Sequence, residues 1–470
     1  MNYRTYLFFA AVVVLLSAGC RKYVDIKTQG SLVPGEWQNY RYLLNNSSSY
    51  EVSPSITDYA ADDVQYVDGS QQQRDMASSD YYGWAGRCYS WQPVIYTLTG
   101  FYYQDYNWES LYNTITNANV IIEEVPAVTD ATEDQKNELI AEALVHRGDA
   151  YLGLVNTYAK PYSIASAATD LGVPLVLKET TTQSLTRNSV AEVYRQIIAD
   201  LRASIPALPV TQAYNQLPTK ASAYGVLARC FLYMNQYDSA NRYADSALSY
   251  RSTLNDLGAI SAITYTNYPQ RGSDPEILLS KVANYGISAY SPTAMRLSDT
   301  LLSVLKPADQ RYVLFTTDAS TISSLYTAAG GRFFYKDRVL GEGRNSGVSV
   351  PEMMLIKAEY YARSGDAASA ISWVNKLRVK RFTAANYVAL TAADANDALV
   401  KVLQERQCEF FCRLLRWWDM RRLKSEARFQ HTVTRIWSGT TYTLDPNSNR
   451  YVFPIAPYNI KLNPEIQQNP

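Results

Sequence analysis

Apolar residues recur at three- and four-residue intervals through several long stretches of the chain, the spacing that lines one face of an α-helix. In 108–125, WESLYNTITNANVIIEEV, the stripe runs through Leu111, Ile115, Ala118, Ile121 and Ile122, and Pro126 ends it. A longer helix is predicted over about 133–158, with Leu139, Ala143, Tyr151, Leu154 and Tyr158 among its inward residues. Ser189 with Glu192 three places on is a capping box, which predicts a helix over about 190–204.

Two later blocks repeat a shape. In YGVLARCFLYMNQYDSANRYADSAL, Ala228 and Ala240 stand twelve apart across a turn at 235–238. In MLIKAEYYARSGDAASAISWVNKL, Ala358 and Ala370 have the same separation across 364–366. An aromatic, Phe231 or Tyr361, follows the first alanine by three. Small residues let paired helices approach closely, and the ring fills the groove beside them. The pattern resembles the tetratricopeptide helical hairpin, without its terminal proline.

Elsewhere the pattern is weaker. A polar tether leads to a first helix near 36–46, and 51–107 is polar and aromatic without helical period, which predicts loop. Residues 251–350 carry scattered Gly, Ser, Thr and Pro, which predicts an irregular insertion with small strands. One continuous helix is predicted over about 394–423. In it Glu405, Glu409 and Arg413 step by four as an exposed charged face, while Phe410, Leu414 and Trp417 pack inward. The proline-rich tail is expected to be extended coil lying on the body. The fold class is therefore mostly α, with helical hairpins, an irregular loop-rich face and minor β structure.

The N-terminus changes the picture of where this body resides. Arg4 precedes the apolar run of residues 6–16, which is shorter than a bilayer-spanning helix. Ser17, Ala18 and Gly19 then lead to Cys20. Residues 1–19 are expected to be a secretory signal peptide. Small residues ending at a cysteine resemble a bacterial lipobox, with Cys20 lipidated and 20–35 serving as anchor and tether; the alternative is an ordinary cleaved signal with Cys20 incidental. The remaining 36–470 are expected to form one domain, with an N-terminal part to about 250 and a C-terminal part beyond it.

The 470 residues carry 44 basic and 44 acidic side chains, so no net field draws nucleic acid. Tyrosine is abundant, at 39, and histidine scarce, at two. Neither His146, mid-helix among apolar residues, nor His431, in a polar connector, sits in a hydrolase motif. No Cys or His spacing fits zinc, and no Walker loop or dinucleotide fingerprint calls for a cofactor. GEGRNSG at 341–347 lacks the following Lys-Ser/Thr and is expected to be a flexible loop. Cys230 is expected in the core, and a disulfide between Cys408 and Cys412, four apart on a helix, would be strained.

The blocks LYNTITNANVII, AEALVHRGDAYLGLVNTYAKPY, SVAEVYRQIIADLRASIPALP, ERQCEFFCRLLRWWDMRRL and FPIAPYNIKLNPEIQQNP resemble, in order, those of the SusD/RagB outer-membrane lipoproteins of Bacteroidetes. The resemblance implies a mostly α fold with tetratricopeptide-like hairpins as scaffold and loops as ligand face. It implies a non-enzymatic protein that captures a nutrient, glycan foremost and peptide as the alternative, and hands it to a SusC-type TonB-dependent transporter. A helical scaffold binding only protein partners is the reading from a different class.

A ligand face is sought first in residues 81–108, where eleven of twenty-eight residues are aromatic. Sugar rings dock C–H faces on aromatic faces, and their hydroxyls need polar neighbours. Trp84 and Trp91 are the platform candidates, on the ground that loop aromatics have no helical reason to be buried, with Arg87 and Gln92 as hydrogen-bond donors. The resemblance adds Tyr285 and Tyr290 in the later insertion. The same rings can instead serve contact with the transporter, and Trp108, heading a helix, is expected in the core.

Overall fold

The start signals act where the sequence places them. A computed structural model describes residues 35–178, 183–283 and 292–470. Cys20, the signal segment and most of the tether lie outside the described residues, as do Tyr285 and Tyr290. The longer helices are α1 (Trp37–Asn45), α2 (Tyr106–Glu124), α3 (Glu133–Tyr158), α4 (Val190–Ser204) and α5 (Lys220–Tyr233). There follow α6 (Tyr237–Tyr250), α7 (Val350–Arg363), α8 (Ala367–Arg378), α9 (Ala395–Phe410) and α10 (Leu415–Leu423). Asp105 caps α2, and Thr132–Gln135, Ser189–Glu192 and Thr219–Ser222 form reciprocal capping boxes on α3, α4 and α5.

Each helix from α2 to α9 packs on the next, and α1 lies against α3. The hairpins α5–α6 and α7–α8 are built alike. Ala228, Ala240, Ala358 and Ala370 are all fully buried at the helix contacts. Both turns are Schellman motifs: Gln236 N donates to Phe231 O and Asp366 N to Tyr361 O, each at 2.9 Å, with Asn235 and Gly365 in the left-handed position. The long excursion between α6 and α7 does not separate the hairpins, because α6 packs on α7. Arg229 of α5 donates to Glu352 of α7 at 2.9 and 2.6 Å in the interior.

Among the described residues the strands are few. Val52–Ser53 pairs in parallel with Val282–Ala283, Thr316–Asp318 antiparallel with Arg332–Phe334, and Val433–Trp437 antiparallel with Thr440–Leu444. The fold is thus mostly helical with minor β structure, as the pattern predicts.

Four expectations are corrected. The helix predicted over 394–423 breaks into α9 and α10, because Cys412 and Leu414 take left-handed backbone (φ 55 and 74). The Leu414 N–H, freed from the helical ladder, donates to Asp58 Oδ1 at 2.6 Å. Glu405 and Glu409 do not form an exposed face; both are buried, because Arg311 reaches them from a distant segment at 2.7 Å and Arg381 holds Glu409 at 2.9 Å. Residues 51–107 are not open loop: they contain short helices, Gln71–Ala77 and Gly83–Tyr89 among them, and much of the segment is buried. The tail is not all coil, since Pro457–Leu462 is helical. Cys230, Cys408 and Cys412 are free and buried.

Candidate functional site

The aromatic segment of residues 81–108 divides into a floor and a ridge. Trp84 lies on the Gly83–Tyr89 helix, edge-on to Tyr59 at 5.6 Å and stacked with Tyr96 at 6.4 Å. Trp91 donates its indole N–H to Ala60 O at 3.1 Å, and the Arg435 guanidinium covers its ring at 4.3 Å. Each tryptophan is only 7% exposed. The premise that these rings stand in open loops is corrected: both are core residues, packed against Tyr59, Tyr96 and Arg435. Arg87 Nε donates to Ile95 O, which holds the 92–104 loop onto the short helix. Gln92, half-buried, donates to Ser90 Oγ at 3.4 Å. Gln92 and Arg87 thus spend hydrogen bonds on the loop itself.

The floor depends on the C-terminal β-hairpin. Arg435 donates to the carbonyls of Tyr59 and Tyr89 at 2.9 and 2.6 Å and also to those of Ala61 and Val64. A buried guanidinium satisfied by four carbonyls fixes two separate segments, 59–64 and the end of the Gly83–Tyr89 helix, at once. Trp437 of the same strand meets Gly86 so closely that a Cβ there would sit 2.3 Å from the indole.

The ridge is made of other rings. Tyr81, Phe101 and Tyr103 are exposed, Phe101 at 65%, and Tyr82, Tyr102 and Tyr106 are half-buried beside them. Tyr81 lies 5.0 Å from Phe101 and 4.7 Å from Tyr102, and Tyr102 packs edge-on to Tyr106 at 5.5 Å. Val94 and Leu98 extend the apolar surface on the same loop. The rings brace one another, so outward faces are held without burial. The only cue to them in sequence is that Phe101–Tyr103 follows Gly100 without helical spacing; the expectation that loop aromatics stay open fails for Trp84 and Trp91, which lie on and just after a short buried helix.

The ridge runs into a groove of about 470 Å³. Tyr103 packs edge-on to Tyr458 at 4.9 Å where the two meet. Gln104, Glu109, Tyr112, Asn459 and Asn463 are among the lining residues. Burial, then the neighbouring Asp105, lifts the Glu109 carboxyl to about 7. The groove is within the size range of small-ligand sites, apolar walled with a few polar groups. It can place hydroxyl-bearing rings against aromatic faces and satisfy them with amides and a carboxyl.

His146 is fully buried, its Nδ1 3.0 Å from Lys281 Nζ, and burial lowers its pKa well below the usual value. His431 is at the surface, its Nε2 3.0 Å from Asp62 Oδ2. Asp62 also accepts from Arg416 at 2.5 and 2.7 Å, so this histidine belongs to a structural ion-pair group. Among the described residues no helix is long and apolar enough to cross a membrane.

Comparison with known proteins places this geometry. Residues 40–232 match a SusD-like family model described as starch-binding, associating with outer membrane, and residues 350–470 match the SusD family model. SusD-like protein P38 of Formosa agariphila is 22% identical over 432 residues, covering 77% of this chain and 78% of its own. SusD-like protein P2 of the same organism is 24% identical over 368 residues, covering 67% and 71%. A SusD superfamily protein of Bacteroides thetaiotaomicron superposes with a TM-score of 0.70 at 19% identity, covering 93% of this chain and 100% of its own. A putative sugar binding protein of Bacteroides vulgatus superposes at 0.66 with 20% identity, covering 94% and 99%. Both ends of the fold, the capped N-terminal helices and the closing α9–α10 block with its tail, are those that the two family models describe, and the chain belongs to the SusD/RagB family.

Proposed function

We propose that this protein is a lipid-anchored, outer-membrane, carbohydrate-capturing member of its family, working without chemistry on its ligand and delivering it to a SusC-type TonB-dependent transporter. The observation that carries the reading is the braced ridge of Tyr81, Phe101 and Tyr103 leading into a groove with amide and carboxyl groups. Solved relatives described as sugar binding and as SusD-like carbohydrate binding support the ligand class. In this reading Cys20 carries the lipid, the tether gives reach, and the sugar ring stacks on the ridge while Gln104, Glu109 and Asn463 take its hydroxyls. Trp84, Trp91, Arg87 and Gln92 act one layer below, by holding the loop. Val94 and Leu98 favour a second use of the same face: aliphatic side chains do not stack sugars, and their exposure at 42% and 53% suits contact with the transporter.

Calorimetric titration of the mature protein with an oligosaccharide and peptide panel tests this. Saturable binding of an oligosaccharide that weakens about tenfold or more in Phe101→Ala and Tyr103→Ala, with folding intact, is the expected result. Binding confined to peptides would reassign the ligand. Turnover of any panel member, or affinity indifferent to both variants, would remove the reading.

A further inference from the structure

A second cavity, of about 660 Å³, shares no lining residue with the groove. It opens between the 160–170 loop, the turn after α5 and the C-terminal end of α10. Lys160, Arg421, Arg422 and Lys424 line it, against one carboxylate, Asp170. Two of these cations are neutralised. Lys160 pairs with Asp170 at 2.7 Å. Arg422 makes a two-pronged contact with Glu359 at 2.6 and 2.7 Å and reaches Asp419 at 2.8 Å.

Arg421 and Lys424 have no such partner among the described residues. Arg421 donates one Nη to Ala159 O, and its buried Nε has no acceptor. Lys424 Nζ donates to Pro446 O at 2.9 Å. Lys424 Nζ also lies 5.3 Å over the Tyr451 ring; carbonyl oxygens and a ring face supply no counter-charge. Burial takes the Arg421 guanidinium down to about 10, and burial with repulsion from Arg421 and Lys160 lowers Lys424. The carbonyl end of α10 favours a cation nearby, at less than the strength of an ion pair, so it does not account for two unpaired cations facing one cavity. Neutral donors, Ser425, Gln430 and Asn447, line the same space.

We propose that this cavity is a ligand site for an oxoanion group, a carboxylate, sulfate or phosphate borne by a small molecule, with Arg421 and Lys424 as its charge partners. Bringing a negative group beside two like charges offsets their repulsion and supplies the counter-charge both lack, so binding gains. The site stands independently of the ridge and of the ligand bound there.

Titration calorimetry of the intact mature protein with sulfate, phosphate, glucuronate and glucose, at ionic strength held constant with sodium chloride, tests it. At least one oxoanion is expected to bind saturably and glucose not to bind at this site. Lys424→Gln is expected to weaken that oxoanion about tenfold, the worth of one charge-assisted hydrogen bond, while Phe101→Ala leaves it unchanged. Arg421 is buried, so Lys160→Gln, at the exposed rim, is the second variant; freeing Asp170 to oppose the anion, it is also expected to weaken binding. The comparison among the anions decides which group the cavity prefers. Absence of oxoanion heat up to about 10 mM, or affinity unaltered in both lysine variants, overturns the site.

Discussion

Phe101 and Trp91 lie ten residues apart and do opposite work. Phe101 is exposed on the ridge, so Phe101→Ala is expected to alter ligand affinity with a folding cost under about 0.5 kcal/mol by urea unfolding. Trp91 is sealed under Arg435 and hydrogen-bonded to Ala60, so Trp91→Ala is expected to cost about 3–5 kcal/mol in the same assay. Glu109 is poised differently. Its carboxyl titrates near 7 against an ordinary 4.5, raised by burial and then by Asp105. A raised carboxyl contributes stability that is full below the unfolded value and lost as pH rises through the folded one. Glu109→Gln should therefore gain about 1 kcal/mol on the wild type between pH 4.5 and pH 8, a figure discounted for its half-exposed site. Urea midpoints at the two pH values check it; equal midpoints throughout would contradict the shift.

Among the elements, the paired hairpins offer a clean comparison. The turn residues Asn235 and Gly365 take the same left-handed position, at φ 58 and 94. A Cβ at Gly365 would meet nothing within 4 Å, so Gly365→Ala isolates the backbone cost. Chemical denaturation should show a loss of about 1 kcal/mol, whereas Asn235→Gly should be neutral or gain a few tenths. The α9–α10 break is the element that sequence period does not reveal. Phe410, Leu414 and Trp417 sit inward in the structure, as a continuous helix would also place them, so their burial fits either shape. What ends the helix is Asp58, 356 residues away, taking the Leu414 N–H.

Across the whole molecule, buried arginine–carboxylate pairs tie distant segments. Burial alone would raise the Glu359 carboxyl, but Arg422 and Arg363 outweigh it and bring it to about 2; Arg381 and Arg311 do the same for Glu409. Depressed carboxyls give stability that is present above the unfolded value and lost as pH falls through the folded one. Calorimetric melting temperature should thus fall steeply between pH 4.5 and pH 2. A flat profile across that window would show these pairs to be inert. Removing one partner leaves a buried charge, so Glu352→Gln, opposite Arg229, is expected to cost about 3–5 kcal/mol.

The positions of most long helices, the Ser189–Glu192 cap and the two hairpins were legible in the sequence, because each rests on contacts close along the chain: Ser189 with Glu192, Ala228 with Ala240, Ala358 with Ala370. The aromatic segment was legible as a region, and its exposed rings were not legible as residues. Within residues 81–108, which rings face solvent depends on Arg435 and Trp437 folding back onto Tyr59, Tyr89 and Gly86. Exposure is a property of what covers a side chain, and here the cover comes from the other end of the chain. For the same reason the charged face expected at Glu405 and Glu409 became an interior, since Arg311 and Arg381 arrive from segments no local period could couple to it. Local hydrogen-bond and packing rules set the helices, and tertiary contacts decided which rings and charges were left exposed.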